Sequence, residues 1–237
     1  MRIRKKWLMI AGMHVAIAAV IILLYCLVCL IGRDTFMLKA AESANWKVVE
    51  KYLVKYKADA NARNCRGYTV MEYAASANDS YTVDLLLQYA AHPSAPGSHI
   101  GSRLGLTPLH IATLRGNRDI VDLLISAGAD LEAKNDIGMT PLQYAAIGSP
   151  SMFHYLVSKG AKIPRESHPR YGSLLHAAAT NRYQDTKFLE YLISIGCDPN
   201  EKDERGLTPL DKAIESGQKI NAAYLSSIKN KNEEKHP

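Results

Sequence analysis

The sequence predicts an all-α solenoid of about six helix-turn-helix repeats with short hairpins, preceded by one transmembrane helix. Two observations lead to this prediction. A six-residue motif that begins with Thr or Ser recurs through most of the 237-residue chain, and its first residues lie 34, 38, 33, 33 and 35 positions apart. An uncharged apolar run precedes the first copy. A fixed period of roughly 20 to 50 residues is typical of proteins whose units bury their apolar faces against one another.

The N-terminus predicts a membrane anchor. Residues 1–6 contain four cations and no acid, and residues 7–31 contain no formal charge over 25 positions. A helix of that length is about 37 Å long, enough to cross a hydrocarbon core of about 30 Å. A cleaved secretory signal is the alternative, but its apolar region would be about 7 to 15 residues, followed by small residues. We therefore expect an uncleaved signal anchor over residues 7–32, in contact with the lipid bilayer. The four cations are Arg2, Arg4, Lys5 and Lys6.

The basic residues also predict the orientation of this anchor. Cytoplasmic flanks carry an excess of Lys and Arg. The four cations precede the span, whereas Arg33 and Lys39 behind it are balanced by Asp34 and Glu42. We expect a single-pass protein of the inner membrane, with residues 1–6 in the cytoplasm and the repeats in the periplasm. A cytoplasmic repeat domain is the alternative.

Each copy of the motif predicts the start of a first helix. The Thr or Ser hydroxyl accepts hydrogen bonds from free N–H groups of the first turn, and Pro lacks an N–H that would have no partner there. Leu and Ala then face the neighbouring repeats. The copies are Thr35–Ala40, Thr69–Ala74, Thr107–Ala112, Thr140–Ala145, Ser173–Ala178 and Thr208–Ala213. In the first copy Met37 takes the Leu place and is interpreted as a core residue; a start site for an unanchored form is the alternative.

A second apolar helix is predicted in each of the first five units. The repeat domain is expected over residues 34–229 and a flexible polar tail over 230–237. Gly128, Gly160 and Gly196 follow three of the second helices and can close them in the left-handed conformation. The residues 91–102 hold the insertion that lengthens one period, and they predict a loop that either reaches a partner or is neutral. The predicted second helices cover 48–56, 83–89, 120–126, 152–159 and 189–195.

The copy Thr-Pro-Leu-His-Ile-Ala at residues 107–112, together with the 33-residue period, resembles the ankyrin repeat. The resemblance covers residues 34–229 and implies a protein-binding scaffold. It implies that His110 and His176 connect neighbouring hairpins by hydrogen bonds. It also implies a concave surface lined by hairpin tips and the ends of the first helices.

Partner contacts are therefore expected at positions that the repeat leaves free. Exposed rows of Arg, Tyr, Leu, Ile and Met are typical of interfaces, although some members could simply cover adjacent hairpins. Three places before the Thr or Ser stand Arg66, Leu104, Ile137, Arg170 and Arg205. One place before it stand Tyr68, Leu106, Met139 and Leu207, while Tyr171 replaces a hairpin glycine. The candidates at first-helix ends are Arg115, Asn181 and Arg182.

Other classes of function find no support in the sequence. Neither Gly97–Gly101 nor Gly101–Gly105 has the spacing of a nucleophile elbow, and no zinc-ligand spacing or phosphate loop is present. We expect no catalytic residue, no metal and no cofactor. The formal charge of +6 includes +4 from residues 1–32, so only +2 remains for the repeats. This balance argues against a nucleic-acid partner.

The basic N-terminus, the anchor and the small ankyrin domain together resemble the architecture of bacterial immunity proteins. Such proteins bind interbacterial toxins, including secreted phospholipases, so the resemblance implies a toxin effector as the partner. Two alternatives remain open: a cytosol-facing membrane adaptor, and a regulatory subunit of a membrane enzyme or transporter.

Overall fold

The computed structural model describes residues 32–95, 105–164, 172–182 and 185–233. Twelve helices lie within these residues, and they form six consecutive pairs, as the period predicts. In chain order they are α1 (32–42), α2 (Trp46–Val54), α3 (Val70–Ser76), α4 (Ser80–Gln88), α5 (Pro108–Arg115), α6 (Arg118–Ser126), α7 (Pro141–Gly148), α8 (Pro150–Ser158), α9 (Leu174–Ala179), α10 (Thr186–Ser194), α11 (Pro209–Glu215) and α12 (Lys219–Glu233).

The helices are arranged in two layers. The first helices of successive repeats pack side by side, from α3 through α5, α7 and α9 to α11. Contacts also join α2 to α4, α4 to α6 and α10 to α12. One continuous core of buried aliphatic and alanine side chains lies between the layers, and fully buried Met37 belongs to it. An isolated bridge of strand type joins Arg63 and Thr69.

Five of the six first helices begin where the sequence predicts, whereas α1 is already helical at residue 32, so the predicted start at Thr35 is wrong. Thr69, Thr107, Thr140 and Thr208 each accept a hydrogen bond from the backbone N–H three residues ahead, at 3.3 to 3.4 Å. The side chain of that third residue accepts a bond from the N–H of the Thr in return, which completes a capping box. The N-terminal turns are therefore closed without help from neighbouring repeats.

The second helices begin two or three residues earlier than predicted. Their apolar residues mark the buried face, but a polar residue outside that pattern begins each helix. Asn45, Asp79, Asn117, Ser149 and Asp185 cap these helices by accepting from backbone N–H groups. Apolar periodicity detects burial, whereas the cap determines where a helix starts.

The structure extends the repeat domain at its C-terminal end, and it does not describe the predicted anchor at the N-terminal end. The final helix continues to Glu233, so the first four residues of the predicted tail are helical. The predicted anchor over residues 7–32 lies outside the described residues, apart from Gly32. No helix within the described ranges has the length and apolar character needed to span a bilayer.

Candidate protein-binding surface

Three hairpins are held by the same side-chain arrangement. A residue five places before the capping Thr accepts hydrogen bonds from two backbone N–H groups of the hairpin, at 2.9 to 3.2 Å. The same residue also bonds a side chain of the following first helix. The three pairs are Asn64 with the Tyr73 hydroxyl at 3.1 Å, Asn135 with the Tyr144 hydroxyl at 2.9 Å, and Asp203 with the Lys212 ammonium at 2.9 Å. These bonds fix the backbone that displays the hairpin tips.

Two histidines connect neighbouring repeats. The Nε2–H of buried His110 donates to the Met139 carbonyl at 2.9 Å, and that of His176 donates to the Leu207 carbonyl at 3.0 Å. The Nδ1 atom of His110 lies 2.8 Å from the Thr107 hydroxyl oxygen. Burial lowers the pKa of His110 to about 4, although the bond to Met139 opposes the shift. The predicted role of these histidines as links between hairpins is confirmed.

Four predicted contact residues are exposed and three are partly buried. The exposed ones are Arg66, Arg115, Arg182 and Arg205, and the partly buried ones are Tyr68, Ile137 and Leu207. Arg205 forms an ion pair with Glu215 at 3.1 Å. The remaining predicted contacts at Leu104, Arg170 and Tyr171 lie outside the described residues.

The prediction is wrong for Leu106, Met139 and Asn181, which are buried. Neighbouring hairpins pack directly on one another: a Cβ atom at Gly105 would lie 2.3 Å from a carboxylate oxygen of Asp136 in the next hairpin. Leu106, next to Gly105, is therefore covered by the next hairpin, whereas Tyr68 and Leu207 at the same place are only partly buried. Asn181 is buried because its side-chain amide donates to the Ala146 carbonyl at 3.2 Å, at the end of α7.

The structure exposes two apolar side chains that the sequence analysis did not single out. Leu114 is 44% exposed and Ile147 is 36% exposed, although both are aliphatic. Each stands seven places after its capping Thr, where the flanking repeats carry Ser76 and Thr180. Comparing this position along the repeats would have revealed them, because only the two central units carry large apolar side chains there, and the terminal repeats carry Glu42 and Glu215. Packed helices lie about 8 to 10 Å apart, so the two side chains are neighbours.

We call the surface formed by these first-helix ends the first-helix ridge. The Arg115 guanidinium lies beside Leu114 and donates to the Ser76 hydroxyl at 3.0 Å. In the four central repeats the ridge contains two cations and no acid, whereas Glu42 and Glu215 take the same position in the terminal repeats. Its members are Ser76, Leu114, Arg115, Ile147, Thr180 and Arg182.

Within the described ranges, no group of three or more His, Cys, Asp or Glu side chains is placed to hold a metal ion. The Cys65 and Cys197 thiols are free. Burial raises the pKa of the Cys197 thiol, and the nearby Glu201 carboxylate adds to this effect. Neither thiol lies on the ridge.

Comparison with known families identifies the repeats. A model of three consecutive ankyrin repeats matches residues 8–97 and 96–167, and a model of a single ankyrin repeat matches residues 173–204. The chain belongs to the ankyrin-repeat family. The first match begins at residue 8 and so overlaps the predicted anchor. Ankyrin repeats mediate protein binding, and the chain is an ankyrin-repeat protein-binding module.

Curated relatives share segments of this ankyrin domain. The chain is 35% identical over 131 residues to a Caenorhabditis elegans homolog of transient receptor potential cation channel subfamily A member 1. The aligned residues cover 54% of this chain and 10% of that protein. It is 31% identical over 173 residues to tyrosine-protein kinase HTK16 of Hydra vulgaris, which is 71% of this chain and 21% of the kinase. The chain therefore spans a small part of these relatives.

A solved structure matches most of the chain. It is the predatory endopeptidase Bd0816 from Bdellovibrio bacteriovorus in complex with immunity protein Bd3460. The match has a TM-score of 0.65 and 26% sequence identity, and it covers 81% of this chain and 97% of that chain.

Proposed function

We propose that this ankyrin module neutralises a secreted bacterial toxin, such as a phospholipase or another hydrolytic effector, by covering it with the first-helix ridge. The structural match to an endopeptidase complex that contains an immunity protein carries this proposal, because almost the whole matched chain is covered. The basic N-terminus and the apolar run of the sequence are in keeping with a role at the bacterial envelope.

The ridge has the composition of a binding centre. Exposed aliphatic side chains at Leu114 and Ile147 supply apolar area, and Arg115 and Arg182 supply charge at its flanks. Interface energy is concentrated in a few central residues of this kind, and Arg is enriched among them. Hydrogen bonds from Arg115 to the Ser76 hydroxyl and from Asn181 to the Ala146 carbonyl hold these helix ends in place before binding, which reduces the entropy lost on association.

A protection assay tests this function. Cells that lack the gene are challenged by a toxin-secreting sibling strain and are complemented with wild type or with the double variant Leu114→Asp/Ile147→Asp. Two carboxylates at the centre of the ridge would have to lose their water when the toxin binds. The double variant should therefore not bind the toxin and should fail to protect. Resistance of cells without the gene would contradict the toxin role.

A matched control separates binding from folding. Ile214 is 61% exposed on α11 but stands outside the ridge, so Ile214→Asp makes a similar change elsewhere on the surface. This variant should protect as well as wild type, and all variants should show the same helical circular dichroism. Equal protection by the ridge variant and the control would place the toxin contact elsewhere.

The site of action belongs to the same proposal. An anchor over residues 7–32 with a cytoplasmic N-terminus would hold the module against the inner membrane on the periplasmic side. A C-terminal reporter enzyme that is active only in the periplasm should then be active. Activity of a cytosol-only reporter at the same position would instead favour a cytosol-facing adaptor.

A further inference from the structure

The first repeat carries a stripe of lysines on α2. Lys47, Lys51 and Lys55 stand four residues apart, so they lie on one face of the helix, and all three are exposed. None of them forms an ion pair within the described part of the chain. The only acid of α2, Glu50, accepts a hydrogen bond from the Tyr81 hydroxyl at 3.1 Å on the neighbouring repeat. The stripe is therefore a local excess of positive charge.

Apolar and aromatic side chains lie beside this stripe. Phe36 is 60% exposed, whereas Pro108, Pro141 and Pro209 at the same place of later motif copies are buried. Its ring stacks on Tyr52 at 6.2 Å, and Tyr52 contacts the ring of Tyr56 at 5.1 Å. The ammonium groups of Lys51 and Lys55 lie 5.8 and 5.7 Å from the centre of the Tyr56 ring. The aromatic row and the lysines thus form one continuous surface.

We call this the first-repeat surface, and its members are Phe36, Lys47, Lys51, Tyr52, Val54, Lys55 and Tyr56. Terminal repeats of a solenoid usually end in a polar outer face. Here the outer face combines aromatic rings, an aliphatic side chain that is 42% exposed, and unpaired lysines. We therefore expect another molecule to cover the first-repeat surface.

We propose that the first-repeat surface rests on an anionic phospholipid bilayer. Aromatic rings are enriched at the headgroup level of membranes, and lysines close to a bilayer are attracted by anionic headgroups. The described chain begins at residue 32, directly after an uncharged run of 25 residues, so the surface is the part of the solenoid closest in sequence to the predicted anchor. A second copy is a poorer occupant, because two such surfaces would bring their lysine stripes together.

This contact would restrict rotation of the module about its tether and would leave the first-helix ridge to the protein partner. The inference concerns a different surface from the toxin-binding ridge, and it rests on the membrane anchor of the proposed function. Lysines near an anionic surface each strengthen membrane association by about fivefold. The lysines themselves can therefore report the contact.

Lysine footprinting on the full chain tests the proposal. The protein is reconstituted in lipid discs of phosphatidylcholine alone or of phosphatidylcholine mixed with phosphatidylglycerol. Acetylation rates at individual lysines are then measured by mass spectrometry. Lys47, Lys51 and Lys55 should react several-fold more slowly in the anionic discs. Lys202 and Lys219, which are exposed on the last repeat, provide internal controls and should react equally in both.

A variant tests the apolar part of the surface. Phe36→Ser should reduce the protection of Lys47, Lys51 and Lys55 against acetylation. Ile214→Ser removes a comparably exposed side chain from the last repeat and should leave this protection unchanged. Equal rates in the two kinds of disc, or protection that persists in Phe36→Ser, would overturn the proposal. Protection in lipid-free detergent that grows with protein concentration would also overturn it, because a second copy would then be the occupant.

Discussion

Acid should weaken the contact between the third and fourth repeats through His110. The imidazole donates from Nε2 to the Met139 carbonyl, so in the neutral ring Nδ1 is the acceptor for the Thr107 N–H at 3.3 Å. Protonation would place a hydrogen on Nδ1, so that this atom could no longer accept from the Thr107 N–H. The cost is high because the His110 side chain is fully buried. The folded state therefore holds His110 in its neutral form.

The size of the effect follows from the pKa. The pKa of His110 falls from the ordinary value of 6.5 to about 4, chiefly because of burial. Between these two pH values the unfolded chain carries a proton that the folded chain does not, so the free energy of unfolding decreases as the pH falls. Each pH unit in this window lowers the free energy of unfolding by about 1.4 kcal/mol. From pH 6.5 to pH 4 the total loss is therefore about 3 kcal/mol. Above pH 6.5 this contribution is fully present.

The matched variant is His110→Gln. In the fourth repeat Gln143 takes the same place, and its side-chain oxygen accepts the Thr140 N–H at 2.9 Å, so glutamine completes a capping box in this chain. Urea unfolding of the full chain in mild detergent, followed by circular dichroism, is measured at pH 7.5 and pH 4. Carboxylates titrate in both proteins, so their contribution cancels in the comparison. Wild type should lose about 3 kcal/mol more than the variant.

An equal loss of stability in the two proteins would refute this reasoning. It would mean that the buried ring is not the acid-sensitive group. His110→Ala serves as a second check, because it leaves the Met139 carbonyl without its donor and opens a cavity. It should cost about 2 to 4 kcal/mol even at pH 7.5.

Two further predictions concern the hairpins. Asp203→Asn alone leaves the Lys212 ammonium without its counter-ion and should lower the free energy of unfolding by about 1 to 3 kcal/mol. Adding Lys212→Tyr recreates the asparagine–tyrosine pairing of two other hairpins and should restore most of the lost stability. Strictly additive losses in urea unfolding would contradict this coupling. Gly172 has a φ of +75°, and a Cβ there would lie 2.5 Å from the His176 ring, whereas Gly206 has a φ of +74° with open space around it. In thermal melts Gly172→Ala should therefore cost about 1 kcal/mol more than Gly206→Ala, and equal shifts would show that the ring can move away.

Much of the candidate site could be predicted, but the burial of its members could not. The repeat period identified the hairpin and helix-end positions, and Arg66, Arg115, Arg182 and Arg205 are exposed there. Buried Met139 shares a row with the partly exposed Leu207. Whether such a residue is covered depends on how closely the next hairpin packs, which involves residues about thirty positions away. The ridge was missed because its side chains are aliphatic, and aliphatic residues on an amphipathic helix are expected in the core.

The sequence by itself determined the repeat number and the starts of five of the six first helices, and its resemblance to the ankyrin repeat implied the histidine links. The helix starts depend on local chemistry: a hydroxyl that caps a helix and a proline without an N–H. Only the tertiary structure decided which apolar side chains remain exposed. Leu114 on the ridge and Phe36 on the first repeat are exposed because the neighbouring repeats do not cover them, and coverage depends on contacts between repeats. The surfaces that we propose for a protein partner and for a bilayer are consequently properties of the stack.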